Sequence, residues 1–156
     1  MNLVTPTNAT ISDNLGVGTI TDNDPIPTIA SVSSESSSEA TPHVHTVTLS
    51  NASTTATTFA YSLGGGTATS GTDYNTTTTF SNGVTLSGGI LTVPANVTNF
   101  TITINPIDDL IDEVGAAASE TYNLVVGGVT GVGTITDNDA TPTLTVSSPT
   151  VSEIDN

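Results

Sequence analysis

The charge of this sequence is entirely one-sided, with 15 Asp and Glu residues, no Lys or Arg, and a net charge of −15 at pH 7. No carboxylate can be neutralised by a basic partner of the Lys or Arg type within the chain. Two carboxylates about 4 Å apart repel by about 1 kcal/mol in water and by roughly 4 kcal/mol at an effective dielectric near 20. A fold that gathers several of them must protonate them or recruit cations from outside. The same sign argues against nucleic acid and anionic membrane surfaces as partners, because both attract basic patches. Divalent cations are the natural counter-charge.

The acids are bunched. None lies between Ala40 and Thr72 or between Tyr74 and Ile107, whereas Asp22/Asp24, Glu35/Glu39, Asp73, Asp108/Asp109/Asp112/Glu113, Glu120 and Asp137/Asp139 form groups near the ends of predicted strands. Oxygen donors in flexible loops suit Ca²⁺, which accepts six to eight of them, better than a transition metal.

An internal repeat organises the chain. The nonapeptide GVGTITDND occurs at Gly16–Asp24 and again at Gly131–Asp139, a shift of 115 residues, and is followed by PIPTIASVSS in one case and ATPTLTVSSP in the other. This spacing predicts the tail of a preceding unit over 1–24, one complete repeat over 25–139, and the start of a following unit over 140–156. The expected context is a tandem array within a longer protein, with neighbouring repeats of the same chain as partners. The opening MNLVTPTNAT lacks the basic and apolar regions of a signal peptide, and no apolar run approaches the length of a membrane span.

Inside the complete unit, short apolar-alternating runs are separated by Gly, Asn, Pro and Ser clusters, the pattern of an all-β antiparallel Greek-key sandwich of about seven to eight strands. The expected strands are Thr28–Ser33, Val44–Ser50, Thr57–Leu63, Tyr74–Phe80, Gly89–Val93, Asn99–Pro106, Thr121–Val126 and Gly131–Thr136. Phe100, Ile102 and Ile104 share one face and Thr101 and Thr103 the other, as a half-buried strand requires. A single helical turn is expected within Asp109–Ala118. Leu, Ile, Val and Phe together make 38 of the 156 residues, enough for an aliphatic core. His43 and His45 sit two apart and share a strand face, a spacing that serves zinc only with further nitrogen or sulfur ligands; the ordinary expectation is exposed histidines. Thr76–Thr79 and the other threonines suit solvent faces of strands. A flat Thr array binding ice or polysaccharide requires a regular spacing that these positions lack.

Several short motifs occur in a fixed order: Ser38-Glu39, Thr46-Val-Thr-Leu-Ser50, Gly66-Thr-Ala68, Gly71-Thr-Asp-Tyr74, Thr101-Ile-Thr-Ile104 leading to Asp108-Asp109, Glu120-Thr-Tyr-Asn-Leu124, and Gly133-Thr-Ile-Thr-Asp-Asn-Asp139. In this order the unit resembles a Calx-β domain of the kind repeated in giant bacterial adhesins, including those of the RTX type. The resemblance implies several Ca²⁺ ions at one end of the sandwich, near the joint with the next unit. It nominates Glu39, Asp73, Asp108, Asp109, Glu113, Glu120, Asp137 and Asp139, with Asp22 and Asp24 closing the preceding unit and Glu153 opening the following one. The stretch Val114–Ser119 departs from the family by separating Glu113 from Glu120 more widely.

The resulting expectation is an extracellular, calcium-stiffened extender module of an adhesin that makes no direct membrane contact and carries a distal ligand-binding part elsewhere. A glycan- or protein-gripping module in the same fold is the alternative. Catalysis is not expected. The chain has no Cys or Trp, no nucleophile-elbow pattern, no phosphate-cradling glycine loop and no basic residue to stabilise an oxyanion.

Overall fold

The computed structural model describes residues 7–13, 15–112 and 119–154. Its strands are β1 (Ile29–Val32), β2 (Glu35–Ser38), β3 (His43–Leu49), β4 (Thr57–Gly64), β5 (Thr79–Phe80), β6 (Thr85–Ser87), β7 (Ile90–Val93), β8 (Asn99–Ile104), β9 (Ser119–Val126) and β10 (Val129–Thr136). They form two sheets, ordered β1-β3-β8-β5 and β2-β10-β9-β4-β7-β6. All pairings are antiparallel except β2 with β10, which run parallel from Gly133↔Glu35 to Thr136↔Ser38.

The alternation read from the sequence fixes the inner faces. Val47 and Leu49 of β3, Phe100, Ile102 and Ile104 of β8, Tyr122, Leu124 and Val126 of β9 and Leu91 and Val93 of β7 are all buried between the sheets. Burying each of these aliphatic or aromatic side chains contributes about 1.5–3 kcal/mol. In β1 both Ile29 and Val32 face inward although they are three residues apart, because the register with β3 shifts between Ile29 and Ser31. Such a bulge takes up one residue of the strand.

Among the described residues the structure has ten strands where seven to eight are expected, and four particulars differ from the expectation. Glu35–Ser38 forms a strand with no apolar residue in it, and Thr85–Ser87 forms one that buries none of its residues. The expected strand Tyr74–Phe80 is reduced to Thr79–Phe80, while Tyr74 makes only single bridges to Ser70 and Pro106. The expected helical turn over Asp109–Ala118 does not form in its described part, 109–112, and the remainder lies outside the described residues.

His43 and His45 are not exposed but buried, at 1% and 0% exposure, on the inner face of β3. They clamp the hydroxyl of Tyr122 across the two sheets, with His43 Nδ1 at 2.7 Å and His45 Nε2 at 2.9 Å. His45 Nδ1 lies 2.7 Å from the Ser33 carbonyl, which only accepts, so Nδ1 carries the proton and Nε2 accepts from Tyr122. The phenol oxygen then accepts from His43 Nδ1–H, leaving His43 Nε2 buried without a hydrogen-bond partner. One arrangement of protons thus satisfies the chain from β3 to β9 and back to the β1–β2 link. Burial, and for His43 also the neighbouring His45, pushes both imidazole pKa values below their usual range. The Tyr122 phenol is pushed far up, first by burial and then by Glu35, Tyr74 and Tyr61, so it remains a neutral donor.

The chain enters and leaves this body at opposite poles. At entry, the Pro25 carbonyl accepts from Asn51 Nδ2 (2.8 Å) and Thr28 N donates to Ser50 Oγ (3.0 Å), beyond the C-terminal end of β3. At exit, the end of β10 lies beside Glu39, whose N donates to the Thr136 carbonyl (3.3 Å), ahead of the start of β3. The seven residues of β3 separate the two poles.

Candidate metal centre

Three loops converge where β10 ends. Parallel pairing of β2 with β10 brings Ser38 opposite Thr136, which places Glu39 next to Asp137–Asp139. The loop after β8 arrives from the other sheet, held by the Tyr74↔Pro106 bridge and by Ile107 N donating to the Asp73 carbonyl (2.9 Å). One carboxylate oxygen each from Glu39, Asp109 and Asp139 lies within 4.8 Å of the other two. Glu39 is only 4% exposed, and Asp109 and Asp139 are half-buried.

Two local Asx turns and one contact between loops hold these side chains in place. Asp137 Oδ1 accepts from Asp139 N (2.7 Å), Asp109 Oδ1 accepts from Ile111 N (2.8 Å), and Asp108 Oδ1 accepts from Asn138 Nδ2 (3.0 Å). Asx turns of this kind form from their own sequence. The first nonapeptide copy makes the same one, with Asp24 N donating to Asp22 Oδ1 (3.0 Å). Asp139 Oδ2 is buried and has no hydrogen-bond partner. Partial burial, followed by the carboxylates of Asp137, Asp109, Asp108 and Asp112, raises the Asp139 pKa above the usual carboxylate value. The group is thus an all-oxygen, negatively charged donor set with an inward-facing oxygen, chemistry that suits a hard divalent cation.

Not every nominated acid joins the group. Asp108 and Asp137 border it through the bonds just given. Asp73 is buried close by, but its Oδ2 accepts from Thr69 N and closes its own loop. Glu120 stands at the start of β9 opposite Ile135, half-buried, and is not one of the three. Glu113 lies outside the described residues, and Asp112, which was not nominated, contributes to the field at Asp139. Asp22, Asp24 and Glu153 are exposed, with Asp22 and Asp24 at the opposite pole beside Ala52–Thr57. Asn138, which steadies Asp108, was also missed; its place between two acids in the repeated TDND is the only trace of that role in the sequence. No third nitrogen or sulfur ligand joins His43 and His45 in a metal-binding group among the described residues.

No family model and no curated protein matches the chain. Among solved structures it is similar to the calcium binding domain CBD12 of CALX1.1, with a TM-score of 0.50 and 19% identity over 74% of this chain and 45% of that one. CBD12 from CALX1.2 gives 0.49 and 19% over 72% and 44%. The apo-form Calx CBD1 domain gives 0.48 and 20% over 72% of this chain and 96% of that domain. The match spans less than half of the two CBD12 chains. At this identity the likeness is one of fold, and the chain is a Calx-β-like sandwich.

Proposed function

We propose that the chain is a calcium-binding structural module of a tandem-repeat surface or secreted adhesin, in which Ca²⁺ holds the acidic pole together and stiffens the joint to the next unit. The observation that carries this reading is the meeting of the Glu39, Asp109 and Asp139 carboxylates within 4.8 Å in a chain with no Lys or Arg. These three would hold the ion, with Asp108, Asp112 and Asp137 adding to the negative field. The cation supplies the positive charge that the side chains lack. Its binding to the folded state alone stabilises that state, by about 2.7 kcal/mol when free calcium is 100-fold above Kd. The calcium-binding CALX1.1 domain of similar fold supports the choice of ion.

The repeat of GVGTITDND at a shift of 115 residues supports the tandem arrangement. So does the placing of entry and exit at opposite poles, which lets units join end to end. Proline at positions 25, 27 and 142 limits the torsions of each joint. An extracellular site of action accords with millimolar calcium there and with the solubility that net charge gives a long array. Isothermal titration with CaCl₂ and MgCl₂ tests the ion assignment. Calcium should bind with at least tenfold preference over magnesium, and Glu39→Gln should weaken it. Equal heats for both ions, or none, would refute the assignment.

A further inference from the structure

The linker between successive units is clamped from both sides within a few residues. On the exit side, Asp108 Oδ1 accepts from Asn138 Nδ2 (3.0 Å), which ties the loop after β8 to the linker. On the entry side, Asn51 Nδ2 donates to the Pro25 carbonyl (2.8 Å), Ser50 N donates to the Thr28 carbonyl (2.9 Å) and Pro27 is buried, so residues 25–28 are fixed to the loop after β3. The repeat makes Asp24 and Asp139 equivalent, and both close the same Asx turn, Asp24 N on Asp22 Oδ1 (3.0 Å) and Asp139 N on Asp137 Oδ1 (2.7 Å). Position 25 of a following unit is thus position 140, two residues after Asn138. Two residues span at most about 7 Å. The exit loop of one unit and the entry loop of the next therefore meet at the linker.

The side chains of these two loops suit one another. Between Asp109 and Asp112 the exit loop carries Leu110 and Ile111, which are 93% and 64% exposed. Their backbone is held, since Ile111 N donates to Asp109 Oδ1 (2.8 Å). The entry loop Ala52–Thr57 contains no charged residue and lines one cleft with Pro25, Ile26 and Pro27. Ile26 is 82% exposed. An acidic loop approaches this uncharged surface without like-charge repulsion, and it brings two aliphatic side chains to a cleft edged by Ile26, Ala52 and Ala56.

We infer that Leu110 and Ile111 of one unit dock on Ile26 and the 52–57 loop of the following unit of the same chain, forming an apolar latch across the joint. The inference rests on the tandem reading given under Proposed function and not on the choice of ion, because the latch is made of uncharged groups. The short linker holds the two loops at a high effective concentration, so a contact of two side chains is enough to close it.

A chain in which residues 25–139 occur twice in succession tests the latch. All ten strands and the buried apolar core lie within 25–139, so each copy is a complete sandwich. Cysteine is absent from the sequence, so a disulfide forms only between introduced positions. Leu110→Cys in the first copy is combined with Ala56→Cys in the second, or with Thr72→Cys in the second as a control. All three positions are exposed, and Thr72 adjoins Asp73 at the second copy's far pole. Under mild oxidation in millimolar CaCl₂, followed by non-reducing electrophoresis, the Ala56 pair should close about tenfold faster than the control. Adding Ile111→Ser should slow it several-fold. Equal rates for the two pairs, or a rate indifferent to Ile111→Ser, overturn the latch. Far-UV circular dichroism of the doubled chain separates this failure from that of the tandem reading. A signal per residue equal to that of the present chain, together with equal rates, means that the latch fails and the tandem reading stands. A doubled chain that loses this signal means that units do not join through this linker, and the tandem reading fails with the latch.

Discussion

Gly133 lies directly against the ring of Tyr122. A Cβ at this position would come 2.0 Å from Tyr122 Cζ and 2.4 Å from its hydroxyl oxygen. The absent side chain on β10 is what lets the tyrosine on β9 turn its hydroxyl to the two histidines of β3. Gly133→Ala therefore forces the ring off its partners, and a loss of about 3 kcal/mol is expected, the upper range for overpacking. Chemical denaturation followed by circular dichroism measures the loss.

Tyr122→Phe keeps the ring and removes the hydroxyl, leaving the buried His43 Nδ1 and His45 Nε2 without their shared partner. The expected cost is about 1–3 kcal/mol, the desolvation penalty of unsatisfied groups. Equilibrium unfolding in urea measures it. The loss should be larger than that of Tyr61→Phe, since the Tyr61 ring is only partly buried against the core.

The histidines set an acid limit on stability. Their folded pKa values lie below the ordinary imidazole value of 6.5, so unfolding takes up protons as pH falls through that value. Their contribution is fully present above about pH 6.5 and is lost progressively below it until the folded pKa values are reached. The slope approaches about 1.4 kcal/mol per pH unit for each histidine involved. Urea unfolding between pH 8 and pH 5.5 should show this decline. His43→Gln/His45→Gln should flatten it.

Asp139→Asn is expected to act in opposite directions with and without calcium. Without the ion, the carboxylate is disfavoured by its burial and by Asp137, Asp109, Asp108 and Asp112, as its raised pKa indicates. Removing its charge relieves that repulsion and should raise the melting temperature in EGTA. With calcium present, the same change removes a ligand and should lower it. A change of the same sign in both conditions would remove Asp139 from the site.

The fold was legible wherever burial alternates along a strand. Phe100, Ile102 and Ile104 announced β8, and Tyr122, Leu124 and Val126 announced β9. β2 was invisible because Glu35–Ser38 has no apolar residue, and only its pairing with β10 makes it a strand. The histidines were misplaced despite a signal, since the inward parity of Leu49 and Val47 runs on through His45 and His43. Their polarity pointed to solvent, and the phenol that satisfies them lies 77 and 79 residues away. At the acidic pole, the family resemblance placed Glu39, Asp109 and Asp139 among eleven nominated acids without setting these three apart. It did not show that Asp73, equally acidic and equally near a strand end, spends its carboxylate on Thr69.

A thermal unfolding scan of the whole chain, run once in millimolar CaCl₂ and once in EGTA at the same pH and ionic strength, bears on whether a cation holds the acidic pole together. Three mutually close carboxylates with no basic partner should gain at least about 2.7 kcal/mol from saturating ion, or roughly 10 °C in Tm. MgCl₂ at the same concentration should reproduce only a minor part of that gain. Superimposable curves in calcium and chelator would mean that the pole is stable without metal, and the structural role given to calcium would be wrong.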